Sequence, residues 1–348
     1  MTDPQSHVAA ALPTQSPQEK ITHMLTGLWS AQAVATAARL GIADALENAQ
    51  PQDGEALART IGADPAALNR LLRALASLGV LSQPQPDTYA LTPMGEALRS
   101  DVPGSMRDFL IAETDVPHWQ AWGKLHESVR SGQPVAPRLV GMPIFEYYAS
   151  HPEEGTVFSR AMGNYSGMAA QGTVQNYDFS GARHIVDVGG AHGDMLLAIL
   201  QANPHARGTV FDQPPVAKAA REVIAAQGYH ERCKAVGGDF FQAVPQGGDL
   251  YLLKFILHDW QDPEALRILH NCREAITPDG RLLVIEMVVP DDNDPSPAQL
   301  IDLNMLVMTG GLERTASEYE ALLSRAGFRL DRLTPTGSPY HLVEAVVA

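Results

Sequence analysis

From residue 181 onward, apolar β-rich runs alternate with helix-patterned stretches, and this rhythm limits the possible folds more than any other feature. The runs cover 184–189, 208–212, 233–237, 250–256 and 282–289, with helices predicted over 195–202, 216–227 and 264–276. Alternation of this kind predicts a parallel sheet covered by helices on both faces. Pro263 behind Asp262 marks a helix start, and Thr315-Ala316-Ser317-Glu318 is a capping box for a last helix that Gly327 ends. Residues 329–333 and 341–347 read as a terminal hairpin, and 290–299 as an irregular, Pro-rich segment.

The preceding half reads differently. Residues 1–19 are rich in Pro, Gln, Ser and Ala without an apolar period and read as a disordered tail. A helix predicted over 21–48 has apolar positions all round, so it needs a large surface to bury against, such as a partner subunit. Residues 55–61 form a short helix closed by Gly62. Asp64 and Pro65 then open a helix that places Leu68, Leu71, Leu72, Leu75 and Leu78 on one face before Gly79. A turn over 83–87 and a strand over 88–92 complete the outline of a winged helix-turn-helix. Residues 106–180 read as helical and rich in aromatic and Met residues, with a loop over 133–143. The expected divisions are a tail at 1–19, a winged-helix unit at 20–105, a helical region at 106–180 and an α/β domain at 181–348.

Composition narrows the function. A chain of 348 residues with 25 Lys+Arg against 40 Asp+Glu carries a formal charge of −15. That charge argues against a broad nucleic-acid surface, which needs clustered cations. Cys233 and Cys272 are the two cysteines, too few for a disulfide framework or a thiolate zinc site. There is no signal-peptide pattern and no apolar run long enough to span a membrane, so a soluble, cytoplasmic protein is expected.

The first strand-to-helix turn reads Val186-Asp187-Val188-Gly189-Gly190-Ala191-His192-Gly193-Asp194. Its glycines allow a tight bend and a close approach of backbone to ligand. Asp212 ends the second strand 19 residues beyond Gly193, a spacing that suits an acceptor for both ribose hydroxyls. A dinucleotide fingerprint wants glycine at the first, third and sixth positions, but counting from Gly189 the third is Ala191 and the sixth Asp194. No Gly-Lys-Ser/Thr follows, so a P-loop is excluded as well. Fewer glycines and an acidic Asp187 suit a ligand without a pyrophosphate, such as S-adenosylmethionine. The plain alternative is a tight turn with no ligand.

Two more clusters fall at carboxyl ends of strands, where ligands of open α/β sheets lie. Gly238-Asp239-Phe240-Phe241 offers a carboxylate for an adenine amino group and rings to stack on the base, though in isolation it reads as a loop. Lys254-Phe255-Ile256-Leu257-His258-Asp259-Trp260 brings His258 into the crevice as a candidate for chemistry. Lys254, on a mostly buried strand, needs a partner or faces the cofactor.

These residues resemble the S-adenosylmethionine-dependent O-methyltransferases of the plant caffeate and hydroxyindole type, with the nearest likeness to bacterial relatives that tailor aromatic antibiotics. The resemblance rests on Gly189-Gly190 with Gly193, Asp212, 238–241, Lys254 and Leu257-His258-Asp259-Trp260, and it spans nearly the whole chain. It implies a Rossmann-like class I methyltransferase domain of α/β class behind an N-terminal all-α, winged-helix dimerisation domain. It implies His258 as general base, flanked by Glu286 and Glu313, and cofactor contacts at Gly189, Asp212, Asp239, Phe240 and Lys254. Glu286 is otherwise odd, a charge inside an apolar strand; Glu313 has the second reading of a carboxylate beside a helix N-terminus. Ala191-His192 departs from the pattern of many members.

The expected reaction is in-line transfer of a methyl group to the hydroxyl of a small aromatic acceptor, with no metal, by a homodimer. A phenol of pKa ~10 is mostly protonated at neutral pH, so a base such as His258 is worth ~10²–10⁴-fold. Phe145, Phe158, Met162, Tyr165, Met305 and Met308 are the expected acceptor lining, against a reading of each as ordinary core. Two other functions compete. One is a DNA-binding regulator, disfavoured because the helix over 65–78 offers just Arg70 and Arg73. The other is a family relative that keeps the cofactor but decarboxylates or hydroxylates.

Overall fold

The computed structural model describes residues 16–46, 50–292 and 294–348. They form two compact units, divided between Val102 and Pro103.

In the first unit, α1 (Pro17–Arg39) starts at Ser16, whose side chain forms a capping box with Glu19. Residues 16–19 therefore belong to a capped helix and not to a disordered tail; residues 1–15 of that tail lie outside the described residues. The single helix expected over 21–48 is broken. Gly41, at φ +66°, turns the chain between α1 and α2 (Ile42–Ala45), a left-handed conformation that costs glycine nothing; residues 47–49 lie outside the described residues. β1 (Gln52–Asp53), α3 (Gly54–Ile61), α4 (Pro65–Ser77), β2 (Leu81–Gln85), β3 (Thr88–Leu91) and α5 (Pro93–Glu96) follow. Asp53 and Asp64 cap α3 and α4 through Ala56 N–H and Ala67 N–H. The turn is Pro86-Asp87, shorter than expected, because Leu81–Gln85 is itself the first strand of the hairpin. Leu68, Leu72 and Leu75 bury with Tyr89, whereas Leu78 is exposed.

The second unit joins the helical stretch and the α/β stretch in one body. Its helices are α6 (Arg107–Glu113), α7 (Val116–Trp122), α8 (Leu125–Ser131), α9 (Ala136–Val140), α10 (Ile144–Ser150) and α11 (Pro152–Asn176). The short α9 occupies part of the expected 133–143 loop. Next come β4 (His184–Val188), α12 (Asp194–Ala202), β5 (Arg207–Asp212), α13 (Pro214–Ala226), β6 (Cys233–Gly237) and β7 (Leu250–Lys254). A 3₁₀ turn at Leu257–Asp259 leads to α14 (Asp262–Ala275), β8 (Arg281–Val289), α15 (Pro297–Met308), β9 (Arg314–Thr315), α16 (Ala316–Arg325), β10 (Phe328–Pro335) and β11 (Tyr340–Val347). The sheet runs β10-β11-β8-β7-β4-β5-β6, with β9 on β8. Strands β4 to β8 pair in parallel, and the terminal hairpin adds antiparallel to β8.

Alternate residues of each buried strand enter opposite cores. Ile185, Leu252, Leu283 and Ile285 pack on one face, and Val186, Val188, Leu253 and Val284 on the other. A smaller cluster of Ala121, Val135, Ile144, Tyr148, Val307 and Met308 joins α7, α10 and α15. Helix α15 begins inside the segment expected to be irregular, where Ser296 and Gln299 form its capping box. Among the described residues, no helix is long and apolar enough to cross a membrane.

Candidate active site

Between the carboxyl ends of the parallel strands and helices α6, α7, α10, α11 and α15 lies a cavity of about 530 Å³. The size suits a small-molecule site.

Its sheet side begins at the turn after β4. Gly189 has φ +72°, and a Cβ there would stand 2.3 Å from Ile256 Cδ1. A Cβ on Gly190 would stand 2.6 Å from Asp187 Oδ2. Glycine at both positions lets the turn pack against Ile256 and the buried Asp187. Ala191 adopts φ +49°, a region non-glycine residues seldom occupy. Its N–H donates to Asp212 Oδ2 at 2.9 Å, which ties the turn to the end of β5. Gly189, Gly190, Ala191, His192, Asp212 and Lys254 all line the cavity.

Asp187 and Gly193 do not line it. Asp187 is 1% exposed beneath Gly190, with Oδ2 unpartnered, and burial pushes its carboxyl up to about 7 despite the field of Lys254. Gly193 caps α12 in the left-handed region, where a Cβ would meet Val210. The 238–241 segment also departs from expectation. The Gly238 N–H donates to Asp212 O, but Asp239 turns back to accept from Phe241 N–H at 2.8 Å, and Phe240 packs against Phe241 and Trp260. Gly238, Asp239 and Phe240 thus stand beside the cavity and not on its wall; Gly238 and Asp239 border a separate, shallower cleft. Their strand, β6, is one place further from the centre of the sheet than β5.

Lys254 Nζ donates to Ser166 Oγ at 2.7 Å and lies 4.4 Å from the Phe255 ring centre. Burial lowers its pKa, while Asp187 and Asp194 oppose that. Phe255, at φ +57°, bends the chain out of β7 into the turn that carries His258.

Around His258 the two expected glutamates divide the work. Glu313 Oε1 lies 2.8 Å from His258 Nδ1, with the Glu313 side chain 1% exposed. Glu286 does not touch the ring. Its Oε1 accepts the backbone N–H groups of Ile256, Leu257 and His258 at 3.0, 2.6 and 3.2 Å, and its Oε2 accepts the Tyr319 hydroxyl. A buried charge in a strand is tolerable with four such donors. The loop bearing Glu313 closes tightly on the turn. Leu312 N–H donates to His258 O at 2.8 Å, and a Cβ on Gly311 would fall 1.9 Å from that same oxygen. Buried Arg314 donates to Leu257 O and Trp260 O, and Asp302 of α15 accepts from Glu313 N–H. Burial disfavours a charged His258, but Asp259, Glu313 and Glu286 overcome it and raise the imidazole to about 10. Burial also raises Asp259 to about 6 and raises Glu313 against the pull of His258.

On the helical side, Phe145, Phe158, Met162, Tyr165, Met305 and Met308 all line the cavity, with Phe145 half exposed at its rim. Ile144, Tyr148, Glu113, His118, Ser166 and Asn304 line it too and were not singled out from sequence. Ser166 pairs with a lysine 88 residues away, so no local pattern reveals it. Among the described residues, no group of three or more His, Cys, Asp or Glu is arranged to hold a metal ion.

Comparison with known proteins shows the family to which the chain belongs. The O-methyltransferase domain family matches residues 122–329, and the O-methyltransferase dimerisation domain matches residues 22–101. The chain is 41% identical to phenazine O-methyltransferase PhzM of Lysobacter antibioticus, over 97% of each chain. It is 37% identical to the mitomycin biosynthesis 6-O-methyltransferase of Streptomyces lavendulae, over 94% of each. The solved O-methyltransferase NcsB1 of neocarzinostatin biosynthesis, in complex with S-adenosylmethionine and 2-hydroxy-5-methyl naphthoic acid, superposes with a TM-score of 0.77 at 32% identity, covering 91% of this chain and 96% of that one. The glycine cradle above Asp187, the Asp212 carboxylate and the His258–Glu313 pair therefore sit in a protein that belongs to the O-methyltransferase family, with the catalytic domain preceded by the family's dimerisation domain.

Proposed function

We propose that this protein transfers a methyl group from S-adenosylmethionine to a phenolic hydroxyl of a small aromatic acceptor, in the tailoring of an antibiotic-type metabolite. The observation that carries the reading is the His258–Glu313 pair, 2.8 Å apart and facing the same cavity as the Gly189-Gly190 cradle.

The residues fit the cofactor. The backbone of the Gly189-Gly190 turn lines the cavity, and Asp212 presents a carboxylate there suited to a ribose diol. Asp187 lies buried under the cradle, its carboxyl raised by burial to about 7, and Lys254 faces the same space. Gly238, Asp239 and Phe240 would border the adenine end from behind Asp212. When bound, S-adenosylmethionine supplies an activated methyl group on a sulfonium sulfur.

The chain's own part is to position the acceptor and hold its proton. The acceptor ring fits between Phe158, Met162, Tyr165, Met305 and Met308, with Phe145 at the mouth. His258 Nε2 accepts the hydroxyl proton, since Nδ1 is engaged by Glu313. A phenol ionises near ~10, close to the raised His258, so the transfer is nearly balanced in energy. Glu313 stabilises the imidazolium and fixes the ring, and Glu286 fixes the backbone on which the ring is mounted.

The protein acts as a homodimer in this reading. Ile21, Met24, Leu25, Leu28 and Trp29 of α1 are all exposed, an apolar face that a second copy would cover. Light scattering at micromolar concentration should give twice the chain mass, and a monomer would remove this part of the account. Two free, buried cysteines suit a reducing cytoplasm. The cofactor reading is tested by calorimetry with S-adenosylmethionine, S-adenosylhomocysteine and NAD in parallel. Micromolar binding of the first two alone supports it, and binding of NAD alone refutes it.

A further inference from the structure

The active-site cavity carries polar groups on two walls, and the proposed reaction uses those of the sheet wall only. On the helical wall, Glu113 at the end of α6 and His118 within α7 line the same space. His118 is 3% exposed. Its Nδ1 lies 3.3 Å from the Tyr148 hydroxyl, and its Nε2 lies 3.7 Å from Glu113 Oε1, beyond hydrogen-bond reach. The Tyr148 hydroxyl thus engages Nδ1, and Nε2 is the ring nitrogen turned toward Glu113. Glu113 meets no hydrogen-bond donor among the described residues. An imidazole nitrogen and a carboxylate therefore stand side by side at the cavity, with no hydrogen bond between them. Tyr165 connects this pair to the catalytic one. Burial raises its phenol against a hydrogen bond with Tyr340, and the fields of both Glu113 and Glu313 act in the same direction as burial.

We propose that Glu113 and His118 form a specificity subsite that selects acceptors bearing a second hydroxyl or an amino group on the part of the ring system remote from the methylated oxygen. The proposal rests on the methyl-transfer reading of the cavity. A hydroxyl engages both groups at once, donating to Glu113 and hydrogen-bonding to His118 Nε2. An amino group donates to Glu113. A carboxylate in the same place meets the charge of Glu113 and is rejected. A ring with no substituent there leaves both groups unpaired, which is how a polar site discriminates against an analogue lacking the matching group.

The test uses a naphthol and three analogues carrying a hydroxyl, an amino group or a carboxylate on the second ring. Their binding to the full-length protein saturated with S-adenosylhomocysteine is measured by calorimetry, alongside methyl-transfer rates with S-adenosylmethionine. The hydroxyl and amino members should bind about tenfold or more tighter than the plain naphthol, and the carboxylate should bind more weakly than it. Glu113→Gln should raise the affinity of the carboxylate member about tenfold, a larger gain than the plain naphthol shows. His118→Asn should lower the hydroxyl member's advantage without favouring the plain naphthol. Equal shifts across all four ligands, an unchanged preference in Glu113→Gln, or no binding by any member overturns the proposal. The predicted order of binding without any methylation would leave the subsite standing and remove the methyl-transfer reading.

Discussion

Replacing Glu313 with Gln separates the charge from the contact it makes. In the intact site Glu313 Oε1 is 2.8 Å from His258 Nδ1. Burial opposes a charged His258, while Asp259, Glu313 and Glu286 outweigh burial and lift it to about 10. A base accepts a proton only when neutral, so below that pH most of the resting enzyme carries imidazolium, and kcat/KM should climb through the alkaline range. An opposite charge at contact distance accounts for ~1–3 pH units of such a rise. Gln keeps a hydrogen-bond acceptor and removes the charge, so the climb should begin ~1–3 pH units lower. The weaker base should also lower the alkaline plateau, on the order of tenfold. The assay is the initial rate of S-adenosylhomocysteine formation from mildly acidic to strongly alkaline pH. Because the acceptor ionises near ~10 itself, His258→Ala is run in parallel to give the acceptor's own profile. Superimposable profiles for the intact protein and Glu313→Gln would refute the assignment of Glu313 to His258. The same pair predicts a stability effect. A histidine whose pKa is raised on folding stabilises fully below its unfolded value of 6.5, and that contribution disappears as pH rises through about 10. Glu313→Gln should flatten this decline in alkaline unfolding curves.

Three further outcomes are expected. His258→Ala should cut turnover by ~10²–10⁴ and leave the calorimetric affinity for S-adenosylmethionine nearly intact; equal losses in both would make His258 a structural residue. Glu286→Ala strips the acceptor from three backbone N–H groups and Tyr319, so denaturant unfolding should show a loss of ~1–3 kcal/mol or more, whereas Glu286→Gln recovers part of it; unchanged stability in Glu286→Ala would contradict the clamp. Burial raises Asp187 to about 7 from an unfolded value of 3.8, so the folded state loses stability as pH rises from about 4 to about 7, and the loss is constant above that. Asp187→Asn should therefore gain in melting temperature relative to the intact protein as pH rises from about 4 to about 7, and a pH-independent difference would count against a buried carboxyl there.

The α/β half was legible because period and punctuation agreed. Strands β4 to β8 fall within a residue or two of the apolar runs, and the cap at Thr315 with Glu318 opens α16 where the sequence places it. The cofactor turn was legible because its glycines have a steric reason that survives into the structure. What failed did so for physical causes. Helix α15 was hidden behind Pro290 and its neighbours, although its own capping box was present. The break at Gly41 was masked by strong helix formers on both sides. Gly238, Asp239 and Phe240 occur at the right spacing, but spacing does not say which way a carboxylate turns, and Asp239 turns to its own backbone. The division of labour between Glu286 and Glu313 was likewise beyond the sequence. It depends on Gly311 letting one loop close against His258 O, and on β8 placing a carboxylate under three consecutive N–H groups. The helical wall showed its aromatic and Met residues, but its polar pair required the fold that brings α6 and α7 to the cavity.

The central claim is methyl transfer from S-adenosylmethionine to a phenolic oxygen with His258 as base. Its most direct test is mass spectrometry of purified protein incubated with S-adenosylmethionine and a panel of hydroxylated naphthalenes and phenazines, with His258→Ala in parallel. The account predicts an acceptor heavier by one methyl group, one S-adenosylhomocysteine formed per methyl transferred, and a large loss of both in the variant. A decarboxylated or hydroxylated product with no methyl gain, or methylation that His258→Ala leaves undiminished, would contradict it.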